Sequence, residues 1–304
     1  MQVIDTEQPG LGSSREIVFI INPATRRTAD KITHQIQTLK PPEIDVVIVH
    51  TKAAGDATRL ARDAARTADL VVACGGDGTV AEVATGILGS GIPLGIIPAG
   101  STNITGRDMG IPTRLPAAIR LLLGAYRLTA IDVGRCGDRC FLHMAGAGID
   151  SRFFAQTDSR LKRRIGWLAY LPPAARAVRL PPARFDLTIE GRTSSVTSPL
   201  ILIANGGSII TPRLRLDANI RRDDGLLDLL IFTADGVGSV TRTLGALMTM
   251  QLSRSAHLVR IQARQIAIDA EPSLPIQLDG DVVEQTPALF TIEPGALQVA
   301  TPVR

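Results

Sequence analysis

The run Gly75-Gly76-Asp77-Gly78-Thr79-Val80 constrains this chain more than any other, because of what flanks it. It follows an unbroken apolar stretch at 70–73 and precedes a helical pattern at 80–88. Three glycines, an aspartate and a threonine in six residues exceed what a tight turn requires. Glycines without Cβ let the backbone approach a ligand closely and reach positive φ. Thr79 is a candidate N-cap, and free amides at a helix N-terminus favour an anion. A carboxylate at Asp77, beside bound phosphates, could hold Mg²⁺ or orient an acceptor hydroxyl.

The same rhythm runs through the N-terminal half. Short apolar runs at 17–21, 46–50, 70–73 and 93–97 alternate with helical patterns. Strands that are continuously apolar and separated by helices predict a parallel sheet covered on both faces. Ligands of such sheets sit beyond the carboxyl ends of the strands, where the glycine-rich turns fall. The turn Pro98-Ala99-Gly100-Ser101-Thr102-Asn103 follows the fourth run, so it should leave the same sheet edge as the first glycine turn. By itself it is an ordinary Ser/Thr turn; beside its neighbour, its hydroxyls and amide suit phosphate oxygens.

After residue 131 the pattern changes. Segments that look like strands, at 141–145, 184–190, 198–204, 226–232, 257–261, 265–268, 275–278 and 289–292, follow one another, joined by Gly, Asp-Gly and Pro turns. Strands in succession predict a sandwich or barrel. The expected organisation is an α/β nucleotide-binding domain at 15–131 and an all-β sandwich at 132–304, with the last residues able to pack back on the first domain.

Composition narrows the function classes. A net charge of +4 is too mild to argue for nucleic acid, and 3% aromatics are too few for a single-strand stacking platform. The first fourteen residues carry Asp5 and Glu7 and no apolar stretch, so no signal peptide is expected. The expected location is cytoplasmic, or peripheral on the inner membrane face. Three cysteines, Cys74, Cys136 and Cys140, make no disulfide framework or structural zinc site and read as buried thiols. The four histidines are scattered and read as structural. There is no G-x4-G-K-[ST] loop, H-E-x-x-H or G-x-S-x-G. The basic run at 160–164, followed by Trp167 and Tyr170, is either a solvated helix face or a contact for anionic headgroups.

The runs GGDGTV, INPATR (21–26), PAGSTN (98–103), IDVGRCGDRCFLHMAGAGID (131–150), RRDDGLLDLLIF (221–232) and IQLDGD (276–281) together resemble the diacylglycerol kinase catalytic-domain family. These are the bacterial-type lipid kinases related to sphingosine kinases. GGDG alone is shared with NAD kinases and phosphofructokinase-like folds, whereas the later runs are similar to the lipid kinases. The resemblance implies an N-terminal nucleotide domain of NAD kinase/diacylglycerol kinase type, a C-terminal β-sandwich, and ATP and lipid meeting between them. It assigns ATP contacts to Asn22, Arg26, Thr51, Gly76, Asp77, Gly78, Thr79, Glu82, Ser101 and Asn103. It assigns Mg²⁺ to the carboxylate of Asp224 with the carbonyls of Arg221 and Leu226, oxygen donors of the kind Mg²⁺ prefers. By residue type alone that turn is equally a solvated Asp-Gly turn before a strand.

Two departures stand out. The family continues N-D-F-A-R after the asparagine, where this chain has Asn103-Ile104-Thr105-Gly106-Arg107. The family reads D-G-E, the Glu being the proposed base, where this chain has Asp279-Gly280-Asp281. Asp281 keeps the carboxylate on a side chain shorter by about 1.5 Å, one C–C bond. Asp281 is the expected base and Asp77 the second catalytic candidate. The implied activity is transfer of the γ-phosphoryl group of Mg-ATP to the hydroxyl of a diacylglycerol-like lipid, with peripheral membrane contact and no nucleic acid. A homodimer is compatible with it. The alternatives are an NAD kinase-like enzyme and a nucleotide- or lipid-binding regulator whose catalysis has lapsed.

Overall fold

The computed structural model describes residues 15–22, 26–148, 182–209, 211–233 and 256–303. The basic run at 160–164, with Trp167 and Tyr170, lies outside them. The chain divides into two compact units. The first takes the chain up to Gly100, then Met109–Ile131 and the stretch from Ala296. The second takes Ser101–Asp108 and Asp132–Gly295.

The first unit alternates strand and helix: β1 Arg15–Ile21, α1 Arg26–Leu39, β2 Ile44–His50, α2 Asp56–Ala64, β3 Leu70–Gly75, α3 Asp77–Ile87 and β4 Leu94–Pro98. The short α4, Ile104–Asp108, belongs to the second unit, and α5, Leu115–Leu123, returns to the first. The sheet order is β2-β1-β3-β4, all parallel. All six residues of β3 are buried, because helices cover both faces of a sheet built this way. Helix α1 offers Ala29, Ile32 and Ile36 on one stripe, and α5 offers Ala118, Ile119, Leu122 and Leu123. Both stripes close on Ile17, Phe19, Leu70 and Val72 of the sheet.

The second unit is antiparallel. Its strands are β5 Arg127–Cys136 (from Asp132 on), β6 Arg139–Phe141, β7 Met144–Gly148, β8 Ala183–Ile189, β9 Arg192–Ser198, β10 Leu200–Ala204, β11 Ser208–Ile209, β12 Thr211–Arg215, β13 Leu227–Phe232, β14 Leu258–Ala263, β15 Gln265–Glu271, β16 Pro275–Leu278, β17 Asp281–Gln285 and β18 Ala288–Thr301. One sheet runs β14-β13-β10-β7-β16-β17; β18, β15, β8 and β9 pair in that order in the other layer. Between the layers lies a single core in which Phe141, Phe185, Leu187, Ile203, Leu229, Ile276 and Phe290 are buried. The rings of Phe141 and Phe290 meet edge to face, centroids 6.3 Å apart. This is the expected sandwich. The last part of β18 passes into the first unit, where Val299 pairs with Leu94 in parallel.

The structure corrects several readings of detail. The apolar run at 198–204 is not one strand. Pro199 has no N–H for a ladder, so β9 ends at Ser198 and β10, in the other sheet, starts at Leu200. Strand β9 was absent from the sequence pattern because five of its seven residues are exposed and polar, leaving no alternation to see. The helix after the first glycine turn begins at Asp77, three residues before the expected Val80.

Candidate functional site

The glycine turns stand at the carboxyl edge of the parallel sheet. Gly75 closes β3 opposite Pro98, which closes β4. The amide of Ala99 donates to the carbonyl of Gly75 at 2.9 Å, and a Cβ on Gly76 would lie 3.4 Å from Cα of Gly100. The two turns therefore leave the same edge and touch, which puts Ser101 one residue beyond the contact. Asn22 follows β1 on that edge; its amide donates to Cys74 O at 3.0 Å and its side chain donates to Thr79 Oγ1 at 2.9 Å. Thr51 follows β2 and donates its amide to Ile21 O at 3.0 Å. Arg26 is the first residue of α1. Asn22, Thr51, Gly76–Thr79 and Gly100 thus come from the ends of four adjacent strands.

Two local readings of the first turn change. Gly76, not Thr79, is the N-cap of α3; Thr79 lies in its first turn and its hydroxyl accepts from Asn22. The positive-φ glycines of the described residues do not include Gly75, Gly76 or Gly78, so handedness is not what these glycines supply, and at Gly75 the need is space. A Cβ on Gly75 would fall 2.5 Å from Thr79 Oγ1 and 2.6 Å from its Cβ, a clash no rotamer relieves. The turn is a cradle that side chains would fill. Its amides point out of the N-terminus of an eleven-residue helix, where the macrodipole favours negative charge. That chemistry fits the anionic tail of a nucleotide. Asp77 is the first residue of α3, half-buried at the mouth of the cradle.

Glu82 has a visible task in the fold. Its carboxylate accepts the amides of Gly55 at 3.0 Å and Ala57 at 3.2 Å, capping the start of α2. Asp56 in turn accepts the amides of Lys52 and Ala53, and the first of these holds its carboxyl below the usual range.

In the second unit, Ser101 is exposed and Asn103 sits at φ +50°, where its carbonyl accepts the amide of Arg107 and starts α4. Helix α4 ends at Asp108, whose side chain is 7% exposed and paired with Arg222, with Arg215 at 3.8 Å. Burial pushes the Arg222 guanidinium down from its ordinary value, against the pull of Asp108.

Arg222 belongs to the acidic turn, which Asp132 pins from below. The buried carboxylate of Asp132 accepts the amides of Gly225 and Gly295, both at 2.7 Å. Its own amide donates to Arg222 O at 2.7 Å. The side chain of Asn205 donates to Asp132 O at 2.8 Å. Above this floor Arg221, Asp223 and Asp224 are exposed and Leu226 half-buried. The Arg221 guanidinium bonds Asp223 and holds its carboxyl below the usual range. Asp224 Oδ1 accepts the Leu226 amide at 3.1 Å, and Gln262 reaches Oδ2 at 3.4 Å. An ionised carboxylate has about four acceptor sites, so Asp224 keeps capacity for a cation. Oxygen donors alone, on an exposed turn with a rigid floor, fit a hard divalent ion. Among the described residues no three His, Cys, Asp or Glu side chains gather to hold a metal, so a cation here would lean on backbone carbonyls.

The run 279–281 splits into two roles. Asp279, at φ +48°, accepts the amides of Leu142 (2.8 Å), His143 (3.0 Å) and Met144 (2.8 Å). Asp281 opens β17 with its side chain at the exposed rim. Sequence reasoning missed Asp132, Asp279, Asn205 and Asp108. The one signal for Asp132 was an acid inside the apolar stretch 131–133. All three cysteines are buried and none forms a disulfide. No helix among the described residues is long and apolar enough to cross a membrane.

Comparison with known proteins follows the two units. Residues 16–136 match the profile of the diacylglycerol kinase catalytic domain, and residues 143–301 that of the YegS C-terminal NAD kinase beta sandwich-like domain. A protein of Pseudomonas aeruginosa named "Probable lipid kinase YegS-like" is 34% identical over 259 residues, covering 82% of each chain. A diacylglycerol kinase of Bacillus subtilis is 29% identical over 281 residues, covering 90% of this chain and 91% of its own. A diacylglycerol kinase of Mycobacterium tuberculosis is 30% identical over 304 residues, covering 94% and 95%. Among solved structures, a diacylglycerol kinase from Bacillus anthracis superimposes with a TM-score of 0.76 at 23% identity, over 96% of this chain and 98% of its own. That likeness establishes the fold.

Proposed function

Because the chain belongs to the diacylglycerol kinase catalytic-domain family, we propose that it transfers the γ-phosphoryl group of Mg-ATP to the hydroxyl of a diacylglycerol-like lipid. Its relatives support a lipid kinase activity. The single observation that carries the nucleotide half is the meeting of the two glycine turns at one sheet edge, Gly76 against Gly100.

In this reading the amides at the start of α3 and the Ser101–Asn103 segment hold the phosphates. Asn22 fixes Thr79, and so the mouth of the cradle, through its 2.9 Å hydrogen bond. Arg26 and Thr51 would contribute further ATP contacts, and Glu82 keeps the neighbouring 55–57 loop in place. Asp224 with the Arg221 and Leu226 carbonyls would hold Mg²⁺, which neutralises charge developing on the phosphoryl group. Asp77 orients the acceptor hydroxyl or the metal. The bond from the γ-phosphorus to the bridging oxygen breaks, a bond to the lipid oxygen forms, ADP leaves, and Asp281 takes the hydroxyl proton. Phosphoryl transfer depends chiefly on position and charge, so a base one bond shorter than the family's Glu is compatible with turnover. The lipid is expected to be met at a membrane face, with the chain bound peripherally.

Labelled ATP offered with dispersed membrane lipids and, side by side, with NAD tests the proposal. A phosphorylated diacylglycerol-like product is expected. Label in NAD instead would assign the acceptor to the other side of the fold family. Tight ATP binding without turnover on any lipid would make this a lapsed regulator.

A further inference from the structure

We infer that Asp108 and Arg222 are a positioning pair that ties the acidic turn 221–226 to the segment Ser101–Asn103, so that cation binding at the one and phosphate binding at the other are coupled. The inference rests on the lipid-kinase reading for what each segment holds.

Both partners lie in the second unit. Arg222 is held at two ends: its carbonyl accepts the Asp132 amide at 2.7 Å, and its guanidinium bonds Asp108. Asp108 in turn terminates α4, which begins one residue after Asn103. A five-residue helix has no stability of its own, so side chains like this one fix its direction. The exposures of the pair, 7% and 16%, exclude most solvent, which strengthens the interaction and makes either partner costly to leave alone. Arg222 Nη1 already lacks a hydrogen-bond partner among the described residues, so Asp108 is what compensates the buried charge.

The pair also answers the departure after Asn103. Position 104, acidic in the family pattern, is here a buried isoleucine, 8% exposed. The carboxylate reappears at 108, four residues on. Residues four apart share a helix face, so Asp108 rises from the side of α4 on which Ile104 lies. A shift in either segment must then drag the other, and by linkage each ligand feels the other's presence equally.

The test uses the full chain with Asp108→Asn, Arg222→Met, Arg222→Lys and the exchange Asp108→Arg with Arg222→Asp. Melting temperature is followed against MgCl2 without nucleotide, and KM is measured separately for Mg-ATP and for dispersed lipid. In Asp108→Asn and Arg222→Met the Mg²⁺-induced rise in melting temperature should shrink. KM for Mg-ATP should climb about tenfold, within the usual range of coupling, while KM for lipid stays within about twofold. Arg222→Lys should fall between, since it keeps charge but loses the fork, and the exchange should recover part of both readouts. Should Arg222→Met fail to fold, Asp108→Asn carries the same comparison. Variants that melt earlier yet keep the wild-type Mg²⁺ response and ATP KM would overturn the inference, as would a wild type that Mg²⁺ does not stabilise. Wild-type inactivity on every lipid would instead overturn the lipid-kinase reading, leaving the pair to stand or fall on the Mg²⁺ response.

Discussion

The glycine turn of the first unit and the acidic turn of the second are built by opposite means. At 75–79 the backbone is the surface on offer: Gly75 leaves room for Thr79, a helix start supplies amides, and one side chain, Asn22, reaches across to Thr79. At 221–226 the backbone is instead the thing being held. Asp132 takes the amides of Gly225 and Gly295, which lie 93 and 163 residues away along the chain. Asp279 does the same for three consecutive amides at 142–144, from more than a hundred residues off. A parallel sheet delivers strand ends to one edge by topology, so its loops need only local chemistry. A sandwich delivers no such edge, and its functional turns need carboxylate anchors from elsewhere.

The largest expected effect falls on the first turn. Asp77→Ala should lower lipid phosphorylation by on the order of a hundredfold or more, the usual loss of a charge-stabilising group. Asp281→Ala should cost about a hundredfold, as for a missing general base, whereas Asp281→Glu should keep or raise activity. If both alanine variants turn over like wild type, the assigned roles are wrong.

Asp132→Ala probes the contrast from the other side, because it touches no expected ligand. The buried amide of Gly225 loses its acceptor, at about 1–3 kcal/mol, and the exposed Gly295 turns to water at less cost. Urea unfolding should therefore show the second unit weakened, with the Mg²⁺ response lost alongside. Unchanged urea stability would mean the floor under the acidic turn is dispensable.

Glycine positions separate space from function within the first turn. Gly75→Ala forces a Cβ to 2.5 Å from Thr79 Oγ1 and should cost about 1–3 kcal/mol, the usual range for overpacking. Gly76→Ala meets only Gly100 Cα at 3.4 Å, so it should fold nearly as wild type and lose ATP affinity. Equal melting temperatures for the two would contradict the steric account.

The smallest effect is a null one. Burial pushes the Cys74 thiol well above its usual range, and burial with Glu284 nearby pushes Cys136 up to about 11. Thiolate is the reactive form, so a thiol reagent at pH 8 should label neither residue until the protein is unfolded. Prompt labelling would mean the cores open more readily than their packing suggests.

Much of the first unit was legible because its signals are contiguous. Four apolar runs, each ending in a turn residue, specify parallel strands, and GGDGTV names its own chemistry. The start of α3 was misplaced because Gly76 caps it without a side chain, so no capping residue marked the spot. In the second unit the buried strands were legible from their apolar runs. Strand β9 was not, since an exposed, polar strand looks like a loop. The chemistry of 221–226 and 279–281 was legible as residue types. Which aspartate of Asp279-Gly280-Asp281 is anchored and which is exposed was not, because that depends on the amides of Leu142, His143 and Met144, far away in the chain where β6 gives way to β7.

The sequence alone determined the class of each unit and where the glycine turns fall at the strand ends, since hydrophobic period and glycine content are local properties. Only the tertiary structure decided that Ser101–Asp108 folds with the second unit, that Glu82 caps a helix, and that Asp132, Asp279 and Asp108 hold turns within the second unit. The reason is physical. A buried carboxylate is stable only beside its donors, and those donors are brought within about 3 Å by chain folding, not by proximity in sequence.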